Sequence, residues 1–548
     1  MNDRSHPDRL DSWKAIANYL GKSVRTARRW ESEEGLPVRR QMHKSQGSVY
    51  AYPAEIDAWR QQREQPGRST KLARDRRGSG ITPPAPGRSI AVLPFSYLGP
   101  DSKSAYIADG FTAEIISGLS RIRALRAISW TSSMTLKGSS KSITSIARTL
   151  GVERLVEGTV RHEGSRLRVS AQLVDARTDE YVWSQSYEST IDKLFSIQEQ
   201  IAQEVAESLD LSAVTRKTER LTDKPTDFVA WQCLVQARQA SLRWRKDSID
   251  QAVRLLREGL AVAGEDARLC AALGRTFLQY REAGIDLSEA PLKQAETCAA
   301  RAFALAPNLP AGYQLQGWIH YAQANIPAAV ASLSAALESE PGDPDTLGLL
   351  ANCALISGRP QAARPLITSL SAIDPLTPLT RCLPGWADQL EGRFESAVGP
   401  YRDMFALDPD NPMARVFLVY VLAAAKHHKE AEQIARELPE GMQNSPPGRI
   451  INLMRRALAG EDTDRITGPA ADALASSTDI FPRFAAQAYA LAGNASEAVR
   501  WLAVAVDKGF INYPYLSQHD PFLPQIAGDA RLERLLSEVE KRWSSFPL

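Results

Sequence analysis

Two arginines near the amino terminus, Arg25 and Arg29, stand four residues apart in the stretch SVRTARRW. If this stretch is helical, both lie on one face, because residues at i and i+4 are neighbours on a helix. A guanidinium group presents a planar fork of N–H donors that matches phosphate oxygens and the edge of guanine. The spacing therefore favours contact with a nucleic acid.

The charge around these arginines is concentrated at one end of the chain. The 548 residues include 66 Lys and Arg against 64 Asp and Glu. Residues 1–88 hold 18 Lys and Arg against 10 Asp and Glu, a net charge of +8, which leaves −6 for the rest. Fixed positive charge releases counterions from a phosphate backbone, so DNA is the expected partner of this end. A solvated basic surface is the alternative.

The basic end has the pattern of a small folded unit. A first helix begins after Asp11, a plausible N-cap, and places Trp13 and Ile16 on one face. A second helix covers about 24–33, the stretch LPVRRQMHKSQGSVYAY predicts a hairpin, and a last helix covers 53–62. Helix, tight turn, helix and hairpin is the order of a winged helix-turn-helix.

The run from 10 to 59 carries WKAIANYLG, SVRTARRWESEEGLPV and GSVYAYPAEIDAWR, and it resembles the winged helix-turn-helix of the excisionase and MerR-like DNA-binding group. The resemblance implies that the second helix enters the major groove and that the hairpin holds phosphates or the minor groove. A module that contacts only protein is the alternative. The residues expected to bind DNA are Ser23, Arg25, Thr26, Arg28, Arg29, Arg39, Arg40, His43 and Lys44.

A change of composition marks the end of this head, residues 1–66. Residues 67–87 are rich in Pro, Gly, Ser and Arg and nearly lack large apolar side chains, so they predict a flexible basic linker. From 88 to 212, short β-branched runs alternate with helices, which predicts a small mixed α/β sheet domain. Asp109 and His162 in this domain are expected to have structural roles at a helix start and a turn.

The α/β segment carries SIAVLPF, ADGFTAEIISGLSRI and LRVSAQLVDARTDEYVWSQSYE. These motifs resemble the TolB-type amino-terminal domain, which is related to FlgO-like domains. The resemblance implies a fold. It also implies that the domain occurs beside tetratricopeptide repeats, as in bacterial signalling proteins. It implies no reaction.

The third region, residues 225–548, has a period of 34 residues, shown by Pro307, Pro341, Pro375 and Pro409. Small residues recur in the same register, and a helix-turn-helix repeat of this length with small crossing residues is the tetratricopeptide signature. About seven such units and a polar capping helix form the predicted all-α solenoid.

If the repeats follow their family, helix A of each unit lines an inner groove. The four regular repeats place no Lys or Arg at the groove positions, so the sequence predicts a groove for an apolar or aromatic peptide segment. Packing of repeat against repeat is the alternative role of these side chains. The predicted groove residues are Gln314, Trp318, Tyr321, Asn352, Trp386, Gln389 and Tyr420.

Motifs for catalysis are missing from the sequence. It lacks G-x-S-x-G, H-E-x-x-H, G-x-G-x-x-G and a kinase catalytic loop, so we predict that the chain is not an enzyme and has no cofactor or metal. Five cysteines without a C-x-x-C pair favour a reduced compartment. A signal peptide and a long apolar run are also missing, so we expect a cytoplasmic protein without membrane contact, against the periplasmic alternative.

Together these patterns predict a mainly α multidomain protein: a winged helix-turn-helix, a small mixed α/β sheet domain and a tetratricopeptide solenoid. The leading hypothesis is a bacterial transcriptional regulator that binds double-stranded DNA and a protein or peptide partner, with an α/β sensor or coupling module. Formation of a homodimer is left open. The competing hypothesis is a non-enzymatic signalling scaffold assembled through the repeats.

Overall fold

A computed structural model describes residues 10, 12–20, 22, 24, 27, 36–42, 47–53, 56, 88–122, 124–209, 211, 228–242, 245–407, 409 and 411–546. The chain divides into two compact units, Met1–Gly80 and Ile81–Leu548. The described residues are mainly helical, with a small mixed sheet followed by a helical solenoid, as predicted. The predicted winged helix-turn-helix is not established by them.

The first unit begins with helix α1, Trp13–Leu20. The Ser12 hydroxyl accepts a hydrogen bond from the backbone N–H of Ala15 at 3.1 Å, so the cap stands one residue after the predicted Asp11, which lies outside the described residues. Ser is as good an N-cap as Asp, which is why the sequence did not separate them. The buried apolar side chains of this unit are Ile16, Ala17, Leu20, Ala27, Leu36, Ala51 and Ile56.

A hairpin follows in the same unit. Strands β1, Arg39–Met42, and β2, Gly47–Tyr50, pair antiparallel. Gly47 lies opposite Met42 as the first residue of β2, rather than inside the turn. The predicted second and last helices fall mostly outside the described residues.

The second unit opens with one mixed sheet whose strands run in the order β5-β3-β6-β7-β8, with β4 paired to β6. Strand β3 is parallel to β5 and β6, whereas β6, β7 and β8 form an antiparallel meander. The bounds are β3 Ser89–Val92, β4 Ser96–Tyr97, β5 Arg126–Ala127, β6 Arg154–Glu163, β7 Arg166–Asp175 and β8 Glu180–Thr190.

Four helices accompany the sheet. Helices α2 and α5 bury their apolar residues against one face, and α3 and α4 lie at the β5, β3 and β6 end. Helix α4 shows how the sequence sets its limits: the Ser142 hydroxyl caps its start, and Gly151 ends it with a left-handed φ of 64°. The bounds are α2 Tyr106–Ser120, α3 Trp130–Met134, α4 Ile143–Leu150 and α5 Leu194–Ser208.

Antiparallel helix pairs make up the rest of the second unit. The first pairs are α6 Phe228–Ser241, α7 Lys246–Ala263, α8 Ala267–Glu282, α9 Ala290–Leu305, α10 Pro310–Ala322, α11 Ile326–Ser339, α12 Pro344–Ile356 and α13 Pro360–Ile373. The later helices are α14 Pro378–Leu390, α15 Phe394–Leu407, α16 Pro412–Ala424, α17 His428–Arg436, α18 Pro446–Leu458, α19 Pro469–Ser476, α20 Ile480–Leu491, α21 Ala495–Asp507 and α22 Ala530–Ser544.

The repeat period is built into the helix starts. Pro310, Pro344, Pro378 and Pro412 are each the first residue of a helix A, a position where proline loses no intrahelical hydrogen bond. Gly317 marks a crossing point, because a Cβ added there would lie 2.6 Å from the Leu333 side chain. The predicted small crossing residue is confirmed.

The five cysteines are buried and none of them forms a disulfide. Among the described residues, no helix combines the length and the apolar character needed to cross a membrane. Within those same residues, His, Cys, Asp and Glu side chains do not gather in groups of three or more that suit a metal ion.

Candidate functional site

The hairpin of the first unit carries the one predicted DNA-binding side chain that the structure describes. Arg39 is exposed, and its guanidinium carbon lies 5.3 Å from the centre of the Tyr52 ring. A cation–π contact of this kind holds the arginine along the hairpin while leaving its charge near the surface. Arg40 is described by its backbone only. The other predicted positions lie outside the described residues: Ser23, Arg25, Thr26, Arg28, Arg29, His43 and Lys44.

The predicted groove of the repeats is open only in its first half. Gln314, Trp318 and Asn352 are half-buried. The Gln314 amide donates to Asp343 Oδ1 at 2.6 Å and to Thr346 Oγ1 at 3.1 Å, which ties helix α10 to the start of α12. These three side chains remain available to a partner on their exposed parts.

The second half of the groove is filled by the protein's own chain. Helix α20 lies against the inner positions, and Tyr420 donates from its hydroxyl to the Phe484 carbonyl at 2.8 Å. The Tyr420 and Phe484 ring centres are 4.2 Å apart. Tyr321 donates to Asp479 Oδ1 at 3.3 Å, and Tyr401 donates to Gln389 Oε1 at 2.9 Å. The contacts of Tyr420 and Tyr321 join helices α16 and α10 to residues far along the chain, whereas the Tyr401–Gln389 bond links the two helices of one repeat.

A buried arginine stands at the centre of this filled half. The Arg483 guanidinium carbon lies 4.3 Å from the Trp386 ring centre and 5.0 Å from that of Phe510. Arg483 has no exposed surface, and none of its three side-chain nitrogens has a hydrogen-bond partner among the described residues. Its nearest opposite charge is Asp479, with Oδ2 3.9 Å from Nε.

The groove prediction therefore needs a correction at four of its seven positions. Tyr321, Trp386, Gln389 and Tyr420 are buried, with Tyr420 1% exposed. Helix α20 or the residue before it contacts Tyr321, Trp386 and Tyr420, and Gln389 bonds to Tyr401. In this arrangement the four side chains pack the molecule and do not face a bound peptide. The packing alternative considered for the aromatic residues is the one that the structure supports here.

The sequence prediction missed charged residues in the open half. Arg275 follows Gly274 as Trp318 follows Gly317, so it holds the same groove position one repeat earlier. Its guanidinium carbon lies 4.0 Å from the Trp318 ring centre, and its Nη1 donates to both Glu282 carboxylate oxygens at 2.9 and 3.0 Å. An insertion of about nine residues breaks the 34-residue register after Gly274, and allowing for it would have located Arg275.

Carboxylates give this open half an acidic character. Burial raises the pKa of Glu282, although the charge of Arg275 opposes the shift. The pKa of exposed Asp345 is also raised, by desolvation and by the charge of neighbouring Asp343. The open half thus combines an aromatic ring with charges of both signs. The absence of Lys and Arg holds for the groove positions of the four regular repeats, and Arg275 lies in the repeat before them.

The α/β domain is joined to the repeats through a buried carboxylate. Asp374, between α13 and α14, accepts hydrogen bonds from Ser132 at 2.7 Å and Thr380 at 3.1 Å, and also from Ser129. The Ser132 hydroxyl in turn accepts from the Leu376 backbone N–H at 3.0 Å. Because Asp374 is 4% exposed, these bonds replace water that it lost on burial.

A second joint lies at the first helix of the solenoid. Gly110 in α2 leaves room for Trp231 of α6, since a Cβ there would lie 2.5 Å from the Trp231 ring. Beside it, buried Asp109 accepts from Gln239 Nε2 at 2.6 Å and from Lys137 Nζ. Asp109 lies inside α2 rather than before it, so its structural role is a contact between domains and not the predicted cap. The two joints fix the sheet domain against the repeats.

Comparison with protein families adds independent information on these domains. The model described as HilA/YgeH-like transcriptional regulator, second domain, matches residues 86–204. A tetratricopeptide repeat model matches 320–379 and 390–456, which confirms the predicted repeats. The chain thus carries a domain related to transcriptional regulators and repeats of a kind that bind other proteins. Neither family match includes residues 10–59, so the excisionase and MerR-like resemblance stays a prediction.

One similar protein overturns the prediction that the chain is not an enzyme. A Rhizobium meliloti (strain 1021) protein named "Putative adenylate cyclase 3" is 33% identical over 175 residues, which are 32% of this chain and 30% of the relative. The chain therefore spans less than a third of that relative. The prediction that the chain is not an enzyme was wrong to exclude catalysis, because a chain related to a protein with that name cannot be assigned to a non-enzymatic class from missing motifs.

The solved structures that this chain resembles have low sequence identity to it and low TM-scores. A tetratricopeptide protein from Thermus thermophilus is 17% identical, and the match covers 35% of this chain and 99% of that one with a TM-score of 0.30. TolB from Acinetobacter baumannii is 15% identical, with 23% and 29% covered and a TM-score of 0.18. The TolB-type and FlgO-like names remain a resemblance, and the HilA/YgeH-like match describes the domain.

Proposed function

We propose that this chain is a DNA-binding transcriptional regulator whose α/β domain and repeats together receive a protein partner. The observation that carries the proposal is the match of residues 86–204 to a domain of HilA/YgeH-like transcriptional regulators. The net charge of +8 on residues 1–88 supports a DNA-binding head. Such a protein works in the cytoplasm, where the chromosome lies.

The head supplies the DNA contact in this proposal. Arg39 lies exposed on the hairpin, and Arg25 and Arg29 are predicted on the helix that precedes it. Each arginine that reads a base contributes about 1 to 3 kcal/mol to binding, whereas a phosphate contact mainly adds to the salt dependence.

The test is fluorescence anisotropy of the full chain with labelled genomic fragments at low and moderate salt. Affinity that falls steeply as salt rises supports the proposal, because released counterions drive binding. The Arg25→Ala, Arg29→Ala double variant should weaken binding at least about tenfold. A matched control is Arg161→Ala, which removes a 61% exposed arginine from the sheet domain. Affinity without salt dependence, or equal affinity of both variants, would count against the DNA-binding head.

The joints give the α/β domain its part in the proposal. Asp374 and Trp231 hold the sheet domain against the repeats at two separated points. Binding of a partner to the repeats would therefore also affect the sheet domain. We therefore assign the α/β domain a coupling role. Hydrogen exchange of the full chain with and without a captured partner tests it, and protection that spreads from the repeats into residues 129–134 is the expected result.

A second candidate function rests on the Rhizobium meliloti relative and its name. We propose as the alternative that the chain has the adenylate cyclase activity that the relative's name states, and that its head contacts protein and not DNA. The purified chain is incubated with ATP and Mg²⁺ or Mn²⁺, and cyclic AMP is measured by mass spectrometry. Cyclic AMP above a boiled-protein control supports this alternative, and salt-sensitive DNA binding without cyclic AMP supports the regulator.

A further inference from the structure

The outer strand of the sheet, β8, is long, and one of its edges has no partner strand among the described residues. It spans 11 residues, Glu180–Thr190, and ends the strand order, so β7 is its one partner among the described residues. Tyr181 is 61% exposed and Val182 is 45% exposed. An edge strand of this kind offers a row of backbone N–H and C=O groups to another strand.

The usual protection of such edges is weak here. Proteins commonly place lysine, proline or a very short strand at an exposed edge to prevent pairing. The segment EYVWSQSYEST contains no lysine and no proline, and it is rich in residues that favour strands. A bulge leaves Val182 without an opposite residue on β7, which protects only the first end of the strand.

We propose that β8 pairs antiparallel with β8 of a second copy of this chain, so that two sheets join edge to edge in a homodimer. The inference does not depend on the proposed function, since it rests on the sheet domain alone. A two-fold axis perpendicular to the sheet keeps each side chain on its own face, so it must lie midway between the two copies of one β8 residue.

An axis at Gln185 gives the most favourable pairing. It places Trp183 opposite Tyr187 of the second copy and Ser184 opposite Ser186, and each pair occurs twice. Cross-strand aromatic pairs stabilise a sheet, whereas like charges placed opposite each other destabilise it. The one acidic residue in the stretch 182–188, Glu188, then faces Val182, so no carboxylate meets another.

The positions of these side chains suit the pairing. Trp183 is half-buried on the same face of the sheet as Tyr187, the face that helix α5 covers, and the Tyr187 hydroxyl donates to Glu204 at 3.0 Å. Ser184, Gln185 and Ser186 are exposed. A second copy would therefore extend the apolar face through the tryptophan and the polar face through the serines.

The first test uses charge on the exposed serines in the full chain. The Ser184→Lys, Ser186→Lys variant places Lys opposite Lys twice, so the dimer dissociation constant should rise about tenfold in analytical ultracentrifugation. The Ser184→Glu, Ser186→Glu variant should weaken the dimer similarly. A mixture of the two should restore dimers, because each Lys then faces a Glu.

A control places the same charges elsewhere. Ser140→Lys, Thr144→Lys alters two exposed residues near α4, and its dimer should match the native one. A native chain that stays monomeric at every concentration, or Lys and Glu variants that dimerise like the native chain, would overturn the proposal. In that case the edge is covered by another segment or another protein.

The second test locates the axis. Gln185→Cys should form a disulfide between copies under mild oxidation, because directly opposite residues are close enough to bridge. Ser186→Cys is equally exposed but lies off the axis, so it should crosslink much less. The native cysteines are buried, which keeps the background low. Preferential crosslinking through position 186 would overturn the register centred on Gln185.

Discussion

The two halves of the repeat groove share one period and differ in what meets them. In the first half, Trp318 lies beneath Arg275, and partly open surface remains. In the second half, Trp386 and Tyr420 hold equivalent inner positions and are buried under helix α20. The same aromatic position of the repeat therefore lies at the surface in one half and in the core in the other.

A cation lies over the tryptophan in both halves, but its surroundings differ. Arg275 has a carboxylate partner, Glu282, at hydrogen-bond distance, whereas Arg483 has aromatic rings and no hydrogen bond among the described residues. A hydrogen-bonded ion pair in a half-exposed groove loses little hydration free energy. A fully buried guanidinium loses much more, so it depends on the surrounding side chains to stabilise its charge. The first half is therefore adaptable, and the second is a fixed closure.

The largest expected loss of stability comes from removing a buried side chain in the second half of the groove. Phe484→Ala removes a ring with no exposed surface that contacts Tyr420 and lies 5.6 Å from Phe417, centre to centre. We expect the free energy of unfolding to fall by about 3 to 5 kcal/mol, because a cavity replaces the ring. Urea unfolding followed by circular dichroism measures it. The control Leu305→Ala alters a 39% exposed side chain and should change stability by less than about 0.5 kcal/mol. Equal losses in both variants would refute the assignment of a core.

The second effect concerns the joint that holds the sheet domain against the repeats. Asp374→Ala leaves the hydroxyls of Ser132 and Thr380 without their acceptor, which should cost about 2 to 3 kcal/mol and speed hydrogen exchange in α3. Glu340→Ala is the matched control, because Glu340 holds the position one repeat earlier, 34 residues before Asp374. Its contact with Arg121 is weak, since the two charged groups are 4.0 Å apart near the surface. If Glu340→Ala loosens α3 as much as Asp374→Ala does, the joint is not where we place it.

The third effect examines the open half. Trp318→Ala should reduce stability by about 1 to 2 kcal/mol, less than Phe484→Ala, since the half-buried ring loses its contacts with Arg275, Tyr321 and neighbouring apolar side chains. In differential scanning calorimetry, its melting temperature should fall by much less than that of Phe484→Ala. A loss as large as that of Phe484→Ala would mean that the first half is also core.

The smallest effect is a change in the pH dependence of stability. Burial raises the pKa of Asp479, and the charge of Arg483 opposes the shift. As the pH rises past the ordinary pKa of aspartate, about 4, the unfolded chain ionises before the folded one, so the stability from this group is lost as the pH approaches the raised value. Asp479→Asn should therefore show a shallower decline of melting temperature between acid and neutral pH than the native chain.

The control for this prediction has the opposite sign. Hydrogen bonds from Arg531 hold the pKa of Asp529 well below its usual range, so that group loses its contribution as the pH falls. Asp529→Asn should lower the melting temperature by a constant amount near neutral pH and by less and less as the pH falls, so the slope of its neutral branch should match that of the native chain. Parallel curves for the native chain and Asp479→Asn would show that Asp479 titrates normally.

Much of the architecture follows from local chemistry that the sequence displays. The 34-residue spacing of prolines located the starts of helices α10, α12, α14 and α16, because proline loses no intrahelical hydrogen bond at the first helical position. Gly151 ended α4 as a left-handed residue, and alternating β-branched residues located the meander of the sheet. These features depend on neighbours within a few residues, so the sequence alone determined them.

Only the tertiary structure decided which inner positions stay open. Helical periodicity places Trp318, Trp386 and Tyr420 on the inner face of the repeats, but it does not encode which distant segment lies against that face. Phe484 meets Tyr420 from 64 positions away, and Asp479 meets Tyr321 from 158 positions away. Contacts over such separations arise from the accumulated turn of many helix pairs, and no local pattern in the chain records that sum.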